Sequence, residues 1–273
     1  MITPVLYLVP TPIGNLGDIT LRAIEVLKSV EYIFAEDTRK TKHLLNHFQI
    51  KGKKLFAYHK FNERSQAERL IAIAKKSSVA IVSDAGTPGI SDPCFTAVRL
   101  AKKSGIKICP LPGASALLPA LTASGFSAAN FFFVGFLPQK ASSKKQAFKR
   151  IVAAGCTSIF YEAPHRIYQT LEDIFVHLGE REVVIARELT KVFETFYSGN
   201  LSEFLDGHKK IHQKGEFVIV VEKSETKSVP DSIIRDEIER LKEKKLSKST
   251  LSKQIAQRLD ISKNRVYKLI HKN

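Results

Sequence analysis

The sequence has no tryptophan, one methionine and three cysteines among its 273 residues. Cys94, Cys109 and Cys156 stand far apart and odd in number, with no C-x-x-C pair. That spacing excludes a disulfide framework and a thiolate zinc site, and no other metal-ligand spacing is visible. Free, mostly buried thiols in a reducing compartment are expected. No run of about 18 apolar residues occurs, so no membrane-spanning helix is expected. The first ten residues lack the basic flank of an export signal and carry Pro4 and Pro10. They read as a buried strand entering a turn, and a cytoplasmic protein is the expectation. Acidic residues are also scarce, 27 against 43 basic ones, for a formal net charge of +16.

Such an excess suits a polyanionic partner, although a lysine-rich composition alone has the same effect. It is concentrated near the carboxyl end, where residues 223–273 carry 14 basic and 7 acidic side chains.

What is present is an alternation of short apolar runs with amphipathic stretches. Runs at 5–9, 32–35, 54–58, 79–83, 106–111, 130–134, 157–161, 183–187 and 217–221 are rich in β-branched or aromatic residues. Most are continuous, as in strands covered on both faces. Helical spacing lies between several of them, at 21–28, 65–76 and 95–103. The alternation predicts an α/β architecture with parallel strands. The polar, basic stretch 139–149 reads as a linker or exposed loop, and Phe131-Phe132-Phe133 as a mostly buried strand. A second break falls at 222–230. Domain boundaries are therefore expected at 1–137, 138–224 and 225–273.

Ligands of α/β proteins bind beyond the carboxyl ends of strands. Two such places are rich in glycine and proline: Pro10-Thr11-Pro12-Ile13-Gly14-Asn15-Leu16-Gly17-Asp18 and Ser83-Asp84-Ala85-Gly86-Thr87-Pro88-Gly89-Ile90-Ser91-Asp92-Pro93. Neither is a Walker A or G-x-G-x-x-G motif, which disfavours ATP hydrolysis and dinucleotide binding. A third, Pro112-Gly113-Ala114-Ser115-Ala116, opens a helix at 117–124 and offers free amides to an anionic group.

Together with Ala35-Glu36-Asp37-Thr38-Arg39, Gly135-Phe136-Leu137-Pro138, Tyr161-Glu162-Ala163-Pro164-His165-Arg166, Arg187-Glu188-Leu189-Thr190-Lys191 and Gly215-Glu216-Phe217, these segments resemble the tetrapyrrole methylase superfamily. They are most similar to its ribosomal RNA branch, the cytidine 2′-O-methyltransferases of small-subunit 16S rRNA. The resemblance implies two α/β domains with S-adenosylmethionine bound in the cleft between them, a homodimer, and the small ribosomal subunit as partner. It implies cofactor contacts from Pro10, Asp84, Gly86, Thr87, Gly89, Ile90, Ser115, Ala116, Tyr161, Glu162, Arg187, Gly215 and Glu216. Thr87 replaces the Asp usual in tetrapyrrole-acting members, which favours the RNA branch. Two departures stand out. The family's His-x-His-Asn segment reads His59-Lys60-Phe61-Asn62, and Cys94 occupies a usual glycine position.

Transfer to a ribose 2′-hydroxyl requires that the hydroxyl lose its proton as attack proceeds. Glu36, Arg39, His59 and Glu162 are the candidate catalytic residues, with Glu36 or His59 as the base. Arg39, Arg166 and Arg187 have the fork geometry that holds phosphate, and His165 and Lys191 are further candidates for the RNA. At the carboxyl end, apolar positions Ile233, Ile234, Ile238 and Leu241, then Leu251, Ile255, Ala256 and Leu259, then Val266 and Leu269, predict three helices. A turn at 260–262 with Ser262 as N-cap makes them a small all-α, helix-turn-helix-like domain. Lys263, Arg265 and Lys268 on its last helix are placed to meet RNA. Three rival readings remain at this point: a precorrin-like tetrapyrrole C-methyltransferase, a ligand-responsive DNA-binding regulator, and a structural or assembly role on the ribosome, which the altered segment at 59–62 favours.

Overall fold

The computed structural model describes residues 4–223, 231–242, 247–259 and 263–271. It forms two compact units, Met1–Lys223 and Ser224–Asn273.

The first unit is built on two sheets. The chain opens with β1 (Val5–Val9), α1 (Leu21–Ser29), β2 (Tyr32–Ala35), α2 (Thr38–His47), β3 (Lys54–Ala57), α3 (Glu63–Ala74), β4 (Val79–Val82), α4 (Phe95–Lys103) and β5 (Lys107–Pro110). The strands form a sheet of order β3-β2-β4-β1-β5, every pair parallel. Continuous apolar strands are what two helix-covered faces require. One core cluster is built around Phe34, Leu70 and Ile81, another around Leu27, Ile33 and Val82. From β1 the chain travels toward β2, and from β4 it crosses to β5 on the other side. The β1 and β4 carboxyl ends thus flank a topological switch point, where open α/β sheets bind ligands.

The second sheet departs from the all-parallel expectation. It comprises β6 (Phe131–Phe136), β7 (Thr157–Glu162), β8 (Glu182–Arg187), β9 (Thr195–Asn200) and β10 (Phe217–Val221) in the order β6-β7-β10-β8-β9. Only β6 and β7 pair in parallel; the other three pairings are antiparallel. Long connections around α6 (Ala141–Ala154) and α7 (Ile167–Leu178) permit a parallel crossover, whereas the short β8–β9 link forces a hairpin.

The stretch 139–149 is a helix, α6, and not an exposed linker. Its first turn is polar, but Ala147, Phe148 and Ile151 lie on one face and are buried in the second core. Lys144 anchors the polar end on Asp173 at 2.5 Å. The Phe131–Phe133 run is a strand that is only partly covered, with Phe131 40% exposed.

Helix α5 (Leu117–Ser124) leaves the first sheet and packs on the second. Leu117, Ala120 and Leu121 join Ile159, Ala186, Val218 and Val220 in one cluster, which also takes in Ile13 from the loop after β1. Burying each such leucine or isoleucine is worth about 1.5–3 kcal/mol, so this apolar seam holds the two sheets against each other.

The second unit consists of α9 (Asp231–Lys242), α10 (Lys248–Leu259) and α11 (Lys263–His271), following the short α8 (Leu201–Leu205) of the first. Ile234, Ile238, Leu241, Leu251, Ile255, Ala256, Val266 and Leu269 form its core, but Ile233 is 48% exposed and does not join them. Arg258 pairs with Glu237 at 2.7 Å. The expected turn at 260–262, with Ser262, and the side chain of Arg265 lie outside the described residues. Among the described residues no helix is long and apolar enough to cross a membrane.

Candidate active site

Three loops meet at the switch point and are fastened by their own polar groups. Thr11 N donates to Gly86 O at 2.9 Å, and Gly86 N donates back to Thr11 O at 2.8 Å. Ser83 Oγ donates to Gly86 O at 2.7 Å, and Thr11 Oγ1 to Ser83 O at 3.0 Å. Gly86 has φ +79, a left-handed backbone that glycine adopts without a Cβ penalty. Thr87 Oγ1 donates to Ala114 O at 2.9 Å, tying in the loop after β5.

Between these loops and the second sheet lies a cavity of about 440 Å³. Of the sequence candidates, Glu36, Asp84, Gly86, Thr87, Ile90, Ser115, Ala116, Tyr161, Glu162, Gly215 and Glu216 line it. Its first-sheet side is acidic. Asp84 accepts from Asp37 N at 2.8 Å and from Lys40 Nζ at 2.9 Å. Glu36 is held above the ordinary carboxylate range by burial and by the neighbouring Asp84 charge. Burial, then the charges of Glu36 and Asp84 and a hydrogen bond shared with Glu36, push Asp92 up to about 7. Glu36 and Asp92 therefore form a carboxyl pair that retains a proton.

Across the cavity, Tyr161 is packed edge-on by Phe133 and Phe136, with ring centroids 5.0 and 5.8 Å away. Burial raises its phenol, against the opposing effect of hydrogen bonding with Ser115. Glu162 is buried to 2% exposure; Oε2 accepts from Thr170 Oγ1 at 2.6 Å and Oε1 from Ala163 N at 2.8 Å. Glu188 and Thr190 have φ +52 and +67. That backbone aims the Glu188 carboxylate at Glu216 N, 3.0 Å away, and at Lys191 Nζ, 2.8 Å away. A Cβ at Gly215 would stand 2.5 Å from the Glu188 side chain, so only glycine fits there.

The other candidates lie elsewhere. Pro10 packs beneath Gly113, whose Cβ would approach it to 2.6 Å. Gly89 packs against Cys94. Arg187 is buried and spends its guanidinium on Lys214 O at 2.6 Å and Phe193 O at 3.2 Å. Arg166 donates to Leu137 O at 2.7 Å and faces Glu162. Arg39 is solvent-exposed and folded onto Asp37. His59 opens a turn closed by Asn62, whose Oδ1 accepts from His59 N at 2.8 Å, and it does not reach the cavity. His165 is exposed on the Pro164–Arg166 turn. Lys263 donates to Ser249 Oγ at 3.1 Å, and Lys268 is exposed. Lys191 lines an adjoining cavity.

Sequence reasoning missed Lys40, Asp92 and Phe136 as lining residues. Asp92 was legible in principle, since it lies in the loop that leaves β4 at the switch point.

Residues 5–205 match the family of tetrapyrrole (corrin/porphyrin) methylases. The chain belongs to that family. Its cofactor is S-adenosylmethionine. Among the relatives of this methylase is the "Ribosomal RNA small subunit methyltransferase I" of Vibrio cholerae, 45% identical over 275 residues, covering 97% of this chain and 93% of that one. The protein of the same name from Synechocystis is 41% identical, covering 97% and 96%; that from Halalkalibacterium halodurans is 47% identical, covering 84% and 79%. Of solved structures, a diphthine synthase superposes with a TM-score of 0.63 at 16% identity, covering 81% of the methylase and 90% of its own chain. A cobalt precorrin-4 methyltransferase gives 0.60 at 13% identity, covering 80% and 94%. At those identities the likeness is one of fold.

Proposed function

We propose that this methylase acts on 16S rRNA of the small ribosomal subunit, at the ribose 2′-oxygen of a cytidine. The observation that carries the reading is near full-length similarity to relatives named as small-subunit rRNA methyltransferases, joined to a carboxylate-floored cavity at the switch point. We take the two sheets as two domains meeting near residue 137, and residues 225–273 as an rRNA-docking domain, in a cytoplasmic homodimer.

The cavity fits S-adenosylmethionine. Its volume of about 440 Å³ lies within the range usual for small-molecule sites. Ile90, Tyr161 and Val218 supply apolar walls, and Asp84 and the singly protonated Glu36–Asp92 pair supply negative charge suited to a cationic ligand. When bound, the cofactor supplies an electrophilic methyl group on a sulfonium. The protein supplies the rest. The fastened loops at Thr11, Gly86 and Thr87 hold one fixed geometry, so little order is lost at reaction. Glu36 accepts the hydroxyl proton as the new bond forms, a task that its raised proton affinity favours. His59 is not favoured as the base, because it lies away from the cavity.

The test is methyl transfer from labelled S-adenosylmethionine to small-subunit particles, naked rRNA, DNA and a tetrapyrrole, followed by nucleoside analysis. Label in 2′-O-methylcytidine is expected. Label confined to the tetrapyrrole, or absent from all four, overturns the proposal.

A further inference from the structure

A second cavity of about 490 Å³ abuts the first. The two share Ile13, Lys40, Asp84, Ala85 and Glu216, so they adjoin along a partly charged rim. We propose that the second cavity is the acceptor-nucleotide site, taking one nucleotide of a single-stranded RNA by its phosphate and base. This rests on the function proposed above and adds to it the site that receives the RNA.

Its chemistry differs from that of the first. One wall is a face of α2, where Lys40, His43, Leu44 and His47 follow the i, i+3, i+4, i+7 spacing that aligns side chains on a helix. The facing wall is the loop after β1 with Lys191. Two ammonium groups and two imidazoles thus converge on one chamber, a donor set for a phosphodiester. Leu44, Pro12 and Leu16 provide an apolar surface for a base.

The arginines expected to hold phosphate are engaged elsewhere. Arg187 and Arg166 are bonded to backbone carbonyls, and Arg39 to Asp37. Lys40 and Lys191 line the second cavity, and each is held by a carboxylate that lines it too. Lys40 pairs with Asp84 at 2.9 Å and Lys191 with Glu216 at 2.8 Å. The hydrogen bond and charge of Asp84 raise Lys40. For Lys191, burial is outweighed by Glu188 and Glu216, so it too remains charged. An incoming phosphate competes with Asp84 and Glu216 for these ammoniums. In-line displacement needs donor and acceptor on opposite sides of the moving group, and two cavities adjoining at a shared rim allow that arrangement.

The double variant His43→Ala, His47→Ala alters the second cavity and no lining residue of the first, at exposed helical positions that tolerate alanine. In the full chain it should raise KM for small-subunit particles about tenfold, the scale of one lost charge-assisted hydrogen bond. Cofactor affinity by calorimetry should stay unchanged. Cytidine 5′-monophosphate should shift the His43 and His47 imidazole resonances of the unsubstituted protein. If that protein methylates rRNA but the variant keeps its KM, or if the nucleotide moves other histidines only, the site assignment falls while the function stands. If KM and cofactor affinity deteriorate together, α2 supports the first cavity and the assignment also falls. If the unsubstituted protein methylates no rRNA, the function itself fails.

Discussion

The amide of Asn15 donates to Thr190 Oγ1 at 3.1 Å, joining a first-sheet loop to a second-sheet segment 175 residues away. The contact depends on the neighbouring Gly14, where a Cβ would overlap the Lys191 side chain and stand 2.9 Å from Thr190 Oγ1. Gly14→Val should part the two segments and displace Lys191. Methyl-transfer kcat/KM should fall at least about tenfold, a loss of roughly 1.4 kcal/mol, while the far-ultraviolet circular dichroism is kept. Steady-state kinetics near the unsubstituted level would show that this closure is dispensable.

Asp92 makes stability fall as pH rises. Its carboxyl carries a proton up to about pH 7 in the folded chain, against an ordinary value of 3.8. Between those values the folded state binds more protons than the unfolded one. The contribution is complete below the lower value and is lost as pH rises through the upper. Asp92→Asn stays neutral throughout. The melting temperature of the variant minus that of the unsubstituted protein should therefore grow from pH 4 to pH 8, as read by differential scanning fluorimetry. A constant difference would show that Asp92 ionises normally.

Thr170→Val deprives the buried Glu162 carboxylate of its 2.6 Å hydrogen bond. An unsatisfied buried acceptor costs about 1–3 kcal/mol, and urea unfolding should register a loss of that size. Because Glu162 also lines the cavity, cofactor affinity should weaken in the same variant. Unchanged stability would mean that another group replaces the threonine.

Removing residues 224–273 takes away a unit with its own core and leaves the other, with both cavities, complete. Cofactor affinity should survive. Affinity for small-subunit rRNA should drop, and its dependence on salt should become shallower as phosphate contacts are lost. Equal rRNA affinity before and after truncation would reject the docking role.

Much of the first sheet was legible because its strands are continuous apolar runs and its helices carry clear apolar faces. The loops at 10–18, 83–93 and 112–116 stood out because a chain that must turn tightly beside a ligand uses glycine and proline. The second sheet was harder to read. β9 is an edge strand whose residues alternate between partly covered and exposed, so no apolar run announced it, and α6 begins with a polar turn that concealed its buried face. Side-chain commitments were least legible. Arg187 resembles a phosphate clamp until its guanidinium is seen to end on Lys214 O, 27 residues away, and Asp92 resembles any loop aspartate until Glu36 is placed beside it.

The left-handed backbone at Glu188 and Thr190 bears on how the molecule folds. Each such residue costs about 1–3 kcal/mol and persists only where its surroundings impose it. The partners that impose it come from distant parts of the chain: the Gly215–Glu216 segment, and the loop after β1 through Asn15. These residues can settle only after both sheets have formed and met. Substitutions there should speed unfolding and leave the refolding rate almost untouched, making the cleft the last part of the molecule to assemble and the first to open.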